Sequence, residues 1–172
     1  SAAGEGAEVR IASNDKDLYA LVGPRVRLIS PTGAHVELIG PEEVRCRTGV
    51  PPDQIPDWLA LTGDSSDNIP GVPGIGPKTA ARLLGQFGSL EALWERLAEV
   101  EPERIRARLA ESRALVERNR SMMRLRDDLP VPVDWRSCGC RPLNPSFLRR
   151  FYQEWGFHSL LKDLQEPDLF DR

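Results

Sequence analysis

Alternating apolar and polar residues indicate strands in the first part of the chain. Residues 8–13 form one short run of this kind, and residues 25–30 and 34–39 form two more around a Pro-Thr-Gly turn at 31–33. Successive side chains of an extended segment point to opposite faces, so two such runs joined by a turn predict a β-hairpin. We therefore predict a small sheet near the start of the chain.

Helical spacing replaces this alternation after residue 40. Pro41 opens a short helix that ends at Gly49, and residues 53–61 place apolar side chains, Trp58 among them, on one helical face. Proline in the first turn and glycine just past the last turn are typical helix boundaries. Further helices are predicted from Ser89 onward, over residues 102–126, 144–155 and 159–164.

Glycine and proline dominate residues 70–80, which read Pro-Gly-Val-Pro-Gly-Ile-Gly-Pro-Lys-Thr-Ala. Pro77 fits the first turn of a helix and Gly88 fits its end. Glycine lets the backbone approach a ligand closely, and the free N–H groups of a helix N-terminus attract anions. A plain loop before a helix is the alternative for any short glycine pattern, but the full string looks like a helix-hairpin-helix module. We expect it to bind the phosphate backbone of DNA without reading its sequence, through Gly74, Gly76, Lys78 and Thr79.

Two pairs of aspartates are candidate ligands for a divalent cation. Asp64 and Asp67 share one face if their segment is helical. Asp15 and Asp17 project to the same side if the backbone after the first strand is extended. Mg²⁺ takes oxygen ligands and keeps several waters, so it needs few carboxylates. Either pair taken alone could instead cap a helix.

Charge is distributed unevenly along the 172 residues, whose net charge is −3. Residues 1–70 hold 6 basic and 11 acidic side chains, whereas residues 71–126 hold 11 basic and 7 acidic ones. The positive charge therefore follows the glycine-rich segment, as a phosphate-binding surface requires. Aromatic residues make up only 6%, which argues against a platform for stacking single-stranded bases, and no apolar run approaches the length of a membrane span.

The three cysteines, Cys46, Cys138 and Cys140, form an odd number without C-x-x-C spacing. We expect reduced thiols, in keeping with the cytoplasm. A metal site made of Cys138, Cys140 and His158 would lack a further ligand.

Several of these segments together resemble one family. Residues 13–19 resemble the T-x-D-K-D-L-Y segment of bacterial 5′–3′ exonucleases, residues 62–68 resemble their T-G-D-x-S-D-N segment, and residues 71–80 resemble their helix-three-turn-helix. The Gly-Ser-Leu-Glu at 88–91 looks like the start of the helix that follows. The family comprises the nuclease domain of DNA polymerase I, its stand-alone relatives and, more distantly, flap endonucleases. The similarity runs from about Glu5 to about Glu166.

The resemblance implies a fold and an activity. It implies an α/β remnant of a PIN-like nuclease core over residues 1–50, and a mostly α-helical lobe over residues 51–172 with its helix-hairpin-helix at about 63–88. The activity would be 5′–3′ exonuclease or structure-specific 5′ flap endonuclease action on DNA by two-metal phosphodiester hydrolysis. The family acts in DNA replication and repair, so we expect a bacterial, nucleoid-associated location.

The resemblance also assigns ligands. Asp17, Asp64 and Asp67 would serve one of two Mg²⁺ or Mn²⁺ ions, and Asp15 would lie between the ions or help the other one. The family's hairpin holds a monovalent cation, often K⁺, through backbone carbonyls that align with Gly71, Val72 and Ile75. Expected partners are DNA with 5′ ends, flaps or nicks, and a fused or associated DNA polymerase, with no membrane.

One feature departs from the family pattern. Family members carry further acidic ligands, a basic residue and a helical arch upstream of the D-K-D segment, and this chain holds none of them. We therefore expect the polypeptide alone to be a poor or inactive nuclease. A non-catalytic, sequence-independent DNA-binding module remains the alternative.

Overall fold

The computed structural model describes residues 3–32, 35–126, 129–130, 134–140 and 142–164. The chain divides into two compact units, Ser1–Pro130 and Val131–Arg172. The predicted domain boundary between residues 50 and 51 falls inside the first unit and stays a prediction. The last residues of the predicted helical lobe, 165–172, lie outside the described part.

A three-stranded sheet opens the first unit. Its strands are β1 (Val9–Ala12), β2 (Val26–Thr32) and β3 (His35–Ile39), in the order β1-β2-β3. β2 pairs in parallel with β1 and antiparallel with β3, so the predicted hairpin is confirmed. The predicted turn at residues 31–33 began too early, because β2 continues through Thr32 opposite β3. Proline is tolerated at position 31 because β1 pairs only with residues 26–29 and leaves the other side of β2 unpaired there.

Among the described residues of the first unit, five α-helices follow the sheet: α1 (Pro41–Thr48), α2 (Ile55–Thr62), α3 (Pro77–Phe87), α4 (Leu90–Glu95) and α5 (Glu103–Met123). The predicted boundaries hold at α1 and α3, which begin with proline and are followed by Gly49 and Gly88, both with positive φ. A two-stranded hairpin, β4 (Gly63–Asp64) and β5 (Ile69–Pro70), joins α2 to the glycine-rich segment.

The helix α2 lies at the centre of the core. Its Ile55, Leu59, Ala60 and Leu61 are at most 1% exposed, and α2 packs against α3 and α5. The buried Asn119 of α5 donates its side-chain N–H groups to the Ala60 and Pro70 carbonyls, at 3.2 and 2.8 Å. Because a buried polar group is costly unless it is hydrogen-bonded, this side chain fixes α5 against both α2 and β5.

The second unit contains α6 (Pro145–Glu154) and α7 (His158–Asp163), close to the two predicted closing helices. Asn144 caps α6 by accepting the N–H groups of Ser146 and Phe147. The ring of Phe151 contacts the rings of its aromatic neighbours at centroid distances of 6.1–6.2 Å. Throughout the described ranges of the chain, no helix combines the length and apolar character needed to cross a membrane.

Candidate metal and phosphate-binding site

Asp64 and Asp67 are presented by a tight hairpin, not by a helix. The helix α2 ends at Thr62, and Gly63 follows with a φ of 73° that an L side chain rarely adopts. Asp64 ends β4, and Asp67 lies in the turn at residues 65–68. The condition for a shared helical face is therefore not met, and the two side chains come together because the chain reverses direction.

Asp15 and Asp17 make different contacts in the structure. Asp15 caps a short 3-10 helix, Lys16–Leu21, by accepting the backbone N–H of Asp17 at 3.0 Å. Capping is the alternative role that the sequence left open for this pair. Asp17 instead joins Asp64 and Asp67, with one carboxylate oxygen of each lying within 4.8 Å of the others. We call these three residues the acidic cluster, and a metal role for Asp15 stays a prediction.

The acidic cluster fits a hard divalent cation. Two oxygens on opposite sides of an ion lie about 4.2 Å apart for Mg²⁺ and about 4.6–5.2 Å apart for Ca²⁺. A spacing within 4.8 Å suits the larger ion and needs only a small inward movement for the smaller one. One oxygen of Asp17 is buried and, within the described part of the chain, has no hydrogen-bond partner. An unpartnered carboxylate oxygen of this kind is a natural metal ligand.

Lys16 neutralises part of the acidic cluster. Its Nζ lies 2.9 Å from Oδ1 of Asp64, a residue that is only 4% exposed. This charge-assisted bond lowers the pKa of Asp64 below its ordinary value, with the N–H of Ser66 contributing at 2.9 Å. Lys16 was not among the predicted site residues. The position of this lysine between Asp15 and Asp17 was a signal in the sequence for a charge contact. Its partner, Asp64, is distant in sequence, so the pair could not be predicted.

The pKa of Asp17 is shifted in the direction opposite to that of Asp64. Burial raises the pKa of Asp17, and the nearby charges of Asp15 and Asp64 raise it further. Desolvation and like charges both disfavour an ionised carboxyl group, whereas a divalent ion would favour it. Repulsion between the carboxylates therefore destabilises the acidic cluster, and a bound cation would reduce that repulsion.

The glycine-rich segment, residues 71–79, continues directly from β5. Gly71 passes so close to α2 that a Cβ there would overlap the main-chain carbonyl of Thr62. The N–H of Val72 donates to the Leu61 carbonyl at 2.9 Å, and the N–H of Ile75 donates to the Val72 carbonyl at 3.0 Å. These bonds hold the loop against the core, with the side chains of Val72 and Ile75 buried.

The outer part of this segment is open. Gly74 has a φ of 82°, and nothing lies within 4 Å of the position that a Cβ would take. Gly76 precedes α3 and Pro77 begins it, with the indole N–H of Trp58 donating to the Pro77 carbonyl at 3.1 Å. Lys78 is exposed and Thr79 half-buried in the first helical turn, where backbone N–H groups lack helical partners. The arrangement suits an anion. The contacts predicted for the individual residues Gly74, Gly76, Lys78 and Thr79 remain predictions.

Comparison with known proteins places this geometry in a family. A family model described as 5′-3′ exonuclease, C-terminal SAM fold, matches residues 50–146. The chain belongs to the 5′–3′ exonuclease family. The thermostable DNA polymerase I of Thermus filiformis is 41% identical over 159 residues, which is 92% of this chain and 19% of the relative. DNA polymerase I of Rhizobium leguminosarum is 38% identical over 161 residues, 94% of this chain and 16% of the relative. The chain therefore spans less than a fifth of these relatives.

Solved structures agree with the exonuclease family at the level of fold. The T5 D15 protein co-crystallised with metal ions matches with a TM-score of 0.61 and 25% identity, over 67% of this chain and 42% of that one. The bacteriophage T5 D15 flap endonuclease in complex with DNA and metal ions matches with a TM-score of 0.64 and 24% identity, over 71% and 44%. The predicted fold class, an α/β nuclease-core remnant with a helical lobe, is confirmed.

A second polar contact, within the helical core, was not predicted from the sequence. Asp57 of α2 is buried, accepts the N–H of Leu90 at 3.1 Å and lies 2.7 Å from Nε of Arg120. Arg120 also pairs with Glu91. Burial raises the pKa of Asp57, against the opposing effects of Leu90 and Arg120. A lone carboxyl group within an apolar helix was the available signal in the sequence. The contacts of Asp57 with Leu90 and Arg120 tie α2 to α4 and α5.

Proposed function

We propose that this chain contributes a divalent-metal site and a DNA-backbone site to a 5′–3′ exonuclease or 5′ flap endonuclease. The observation that carries the proposal is the arrangement of two elements in succession. The hairpin that presents Asp64 and Asp67 runs directly into the glycine-rich segment, and both are packed on α2. A phosphate held at the glycine-rich segment is thereby kept at a set position relative to the acidic cluster.

The acidic cluster would hold Mg²⁺ or Mn²⁺ through Asp17, Asp64 and Asp67. An ion bound there supplies a water of lowered pKa and stabilises negative charge on the phosphodiester oxygens. Asp15 orders the backbone N–H of Asp17 and so positions its carboxylate. Lys16 balances the charge of Asp64 in the absence of a cation and has to give up that contact for the ion to bind it.

The glycine-rich segment would hold the DNA backbone. Gly74 and Gly76 allow close approach of a strand, and Lys78 and Thr79 offer the free N–H groups and the charge of a helix N-terminus. The carbonyls of Gly71, Val72 and Ile75 would hold a K⁺ ion that bridges to phosphate. Such contacts are independent of base sequence, so selectivity depends on the structure of the DNA.

The proposed substrates are DNA ends, nicks and flaps that carry a 5′ terminus. The matched flap endonuclease of bacteriophage T5 was solved with DNA and metal ions, and the matched relatives are DNA polymerases. These names support a replication or repair role with a fused or associated polymerase. A bacterial cytoplasmic, nucleoid-associated location is the expectation that accompanies this role. Two-metal hydrolysis by the whole protein belongs to this proposal.

A non-catalytic DNA-binding role is the second candidate. Within the ranges that the structure describes, one cluster of three carboxylates is found, which suits a single ion, and Lys16 lies against it. Hydrolysis by two metals about 4 Å apart needs more ligands than these. The glycine-rich segment, by contrast, has every residue of its proposed phosphate site in place.

One experiment separates the candidates. A labelled 5′-flap duplex is incubated with the protein in Mg²⁺ or Mn²⁺, and its binding is measured in parallel with EDTA. Flap release that Asp64→Asn abolishes establishes the nuclease. Binding without release establishes the DNA-binding role. Absence of both binding and release would overturn the two proposals together.

A further inference from the structure

A shallow hollow of about 190 Å³ lies beside the glycine-rich segment. Its walls are Pro73 and Gly74 on one side, and Arg104, Ile105 and Arg108 of α5 on the other. The two arginines are separated by one helical turn, so they lie on the same face of α5. Distant parts of the chain thus bring two guanidinium groups to the open side of the Gly74 turn.

The packing of α5 holds these arginines in place. Ile105 is only 5% exposed and is part of the core, and its N–H donates to the Pro102 carbonyl at 2.8 Å. Val100, just before the helix, is fully buried. The first turn of α5 is therefore anchored by apolar contacts while its arginines face solvent.

The charges of these arginines are available to a ligand. Arg104 is exposed, and across the described ranges no ion pair is found for it; the Nη1 of Arg108 is 3.7 Å from Glu111. Other arginines of α5 are engaged more closely: Arg113 pairs with Glu117 at 3.0 Å and lies over the Trp94 ring. Exposed and weakly paired guanidinium groups next to an accessible backbone turn are suited to phosphate oxygens.

We infer that Arg104 and Arg108 form, with the Gly74 turn, a second phosphate contact for the DNA strand held by the glycine-rich segment. The inference rests on the proposed DNA binding and extends it to residues that the sequence motif does not contain. The ligand class is the nucleic-acid backbone, because the hollow is shallow and continuous with the segment 71–79, and a strand crossing that segment reaches it. Two successive phosphate contacts fix the line along which a strand lies, which one contact cannot do.

The test compares single variants by fluorescence anisotropy of a labelled 5′-flap duplex in EDTA, at several salt concentrations. Arg104→Ala and Arg108→Ala are each expected to weaken binding at every DNA sequence, and each to lower the slope of log affinity against log salt by about one. Arg113→Ala is the matched control, because its side chain projects about half a turn away on the same helix. It should leave the slope unchanged. Circular dichroism and melting temperature verify that each variant is folded.

Lys78→Ala separates a failure of the second phosphate contact from a failure of the proposed DNA binding. If Lys78→Ala lowers the slope while Arg104→Ala and Arg108→Ala behave like Arg113→Ala, the second contact is overturned and the proposed function stands. If none of the variants changes binding, the proposed DNA surface itself is wrong. Inorganic phosphate at millimolar concentration tests for a free-anion site: phosphate binding that both arginine substitutions abolish, with duplex binding unchanged in the same variants, would identify such a site and overturn the backbone contact.

Discussion

The acidic cluster and the glycine-rich segment are neighbours in the chain, yet they are built in opposite ways. The acidic cluster joins Asp17, from the segment after β1, to Asp64 and Asp67, and it combines a half-buried, a buried and an exposed side chain. The glycine-rich segment is local and relies on its main chain, with Gly74 and Lys78 in solvent. The first depends on tertiary contacts, and the second depends on the order of its residues.

The energetic consequences differ as well. Like charges brought together out of water destabilise the folded state, and Lys16 offsets only part of that repulsion. An exposed helix N-terminus carries no such penalty, because water satisfies its N–H groups. The charges that would bind a cation at the acidic cluster therefore lower folding stability, whereas the charge at the glycine-rich segment does not.

The largest effect is expected at the junction of the two regions. Gly71→Ala places a Cβ against the backbone of Thr62 and Gly63, which cannot yield as a side chain could. The free energy of unfolding should fall by at least about 3 kcal/mol, as measured by urea denaturation. Gly85→Ala is the control: this glycine is exposed within α3 with nothing near its Cβ position, so the substitution should stabilise by about 0.5–1 kcal/mol. Equal effects of the two substitutions would refute the close-packed junction.

Divalent cation binding should give the next largest effect. At about 100 times its dissociation constant, Mn²⁺ is expected to stabilise the native protein by about 2.7 kcal/mol, measured as a rise in melting temperature. Asp17→Asn should abolish this rise. Without metal, the same variant should be more stable than the native protein at neutral pH, because it removes a carboxylate whose burial and neighbours disfavour its charge.

The stability gained by Asp17→Asn over the native protein should depend on pH, and the direction of this dependence can be measured. The folded pKa of Asp17 lies above its ordinary value of 3.8, so the destabilisation is present at neutral pH and disappears as the pH falls through the raised pKa. The melting temperatures of the variant and the native protein should therefore converge in acid. If metal-free Asp17→Asn were less stable than the native protein at neutral pH, the result would contradict the repulsion described for the acidic cluster.

Lys16→Met tests the same cluster from the other side. Loss of the ammonium leaves the buried Asp64 charge without its partner, so the metal-free protein should lose about 1–2 kcal/mol of stability at neutral pH. The pKa of Asp64 is lowered in the folded state, so this contribution exists above its ordinary value of 3.8 and is lost as the pH falls through the folded pKa. Mn²⁺ should bind more tightly to Lys16→Met than to the charge-retaining Lys16→Arg, as calorimetry would show. Equal affinities would mean that Lys16 does not compete with the ion.

The smallest effect is expected at the glycine-rich segment. Lys78→Ala should leave the melting temperature unchanged, because its side chain is exposed, and should lower the salt slope of duplex binding by about one. Thermal denaturation and anisotropy check the two parts. A clear loss of stability in Lys78→Ala would show that the segment, like the acidic cluster, depends on charge for folding.

Most of the fold could be predicted from local patterns. The alternation in the first part of the chain predicts β1, β2 and β3, and proline and glycine mark the ends of α1 and α3, because these residues restrict or extend backbone freedom whatever surrounds them. The β4–β5 hairpin was missed, since each strand is only two residues long and has no periodicity to detect. The contacts of Asn119 and Asp57 were missed because their partners lie on other helices and on β5.

The sequence by itself determined the family, the glycine-rich segment and the identity of the candidate acidic ligands, because these depend on residue type and spacing over short stretches. Only the tertiary structure decided which carboxylates meet. It gave Asp15 a capping contact with the N–H of Asp17, brought Asp17 to Asp64 and Asp67, placed Lys16 against Asp64, and set Arg104 and Arg108 beside Gly74. The physical reason is that the charge and burial of these side chains depend on contacts between segments far apart in the chain, which local spacing does not encode.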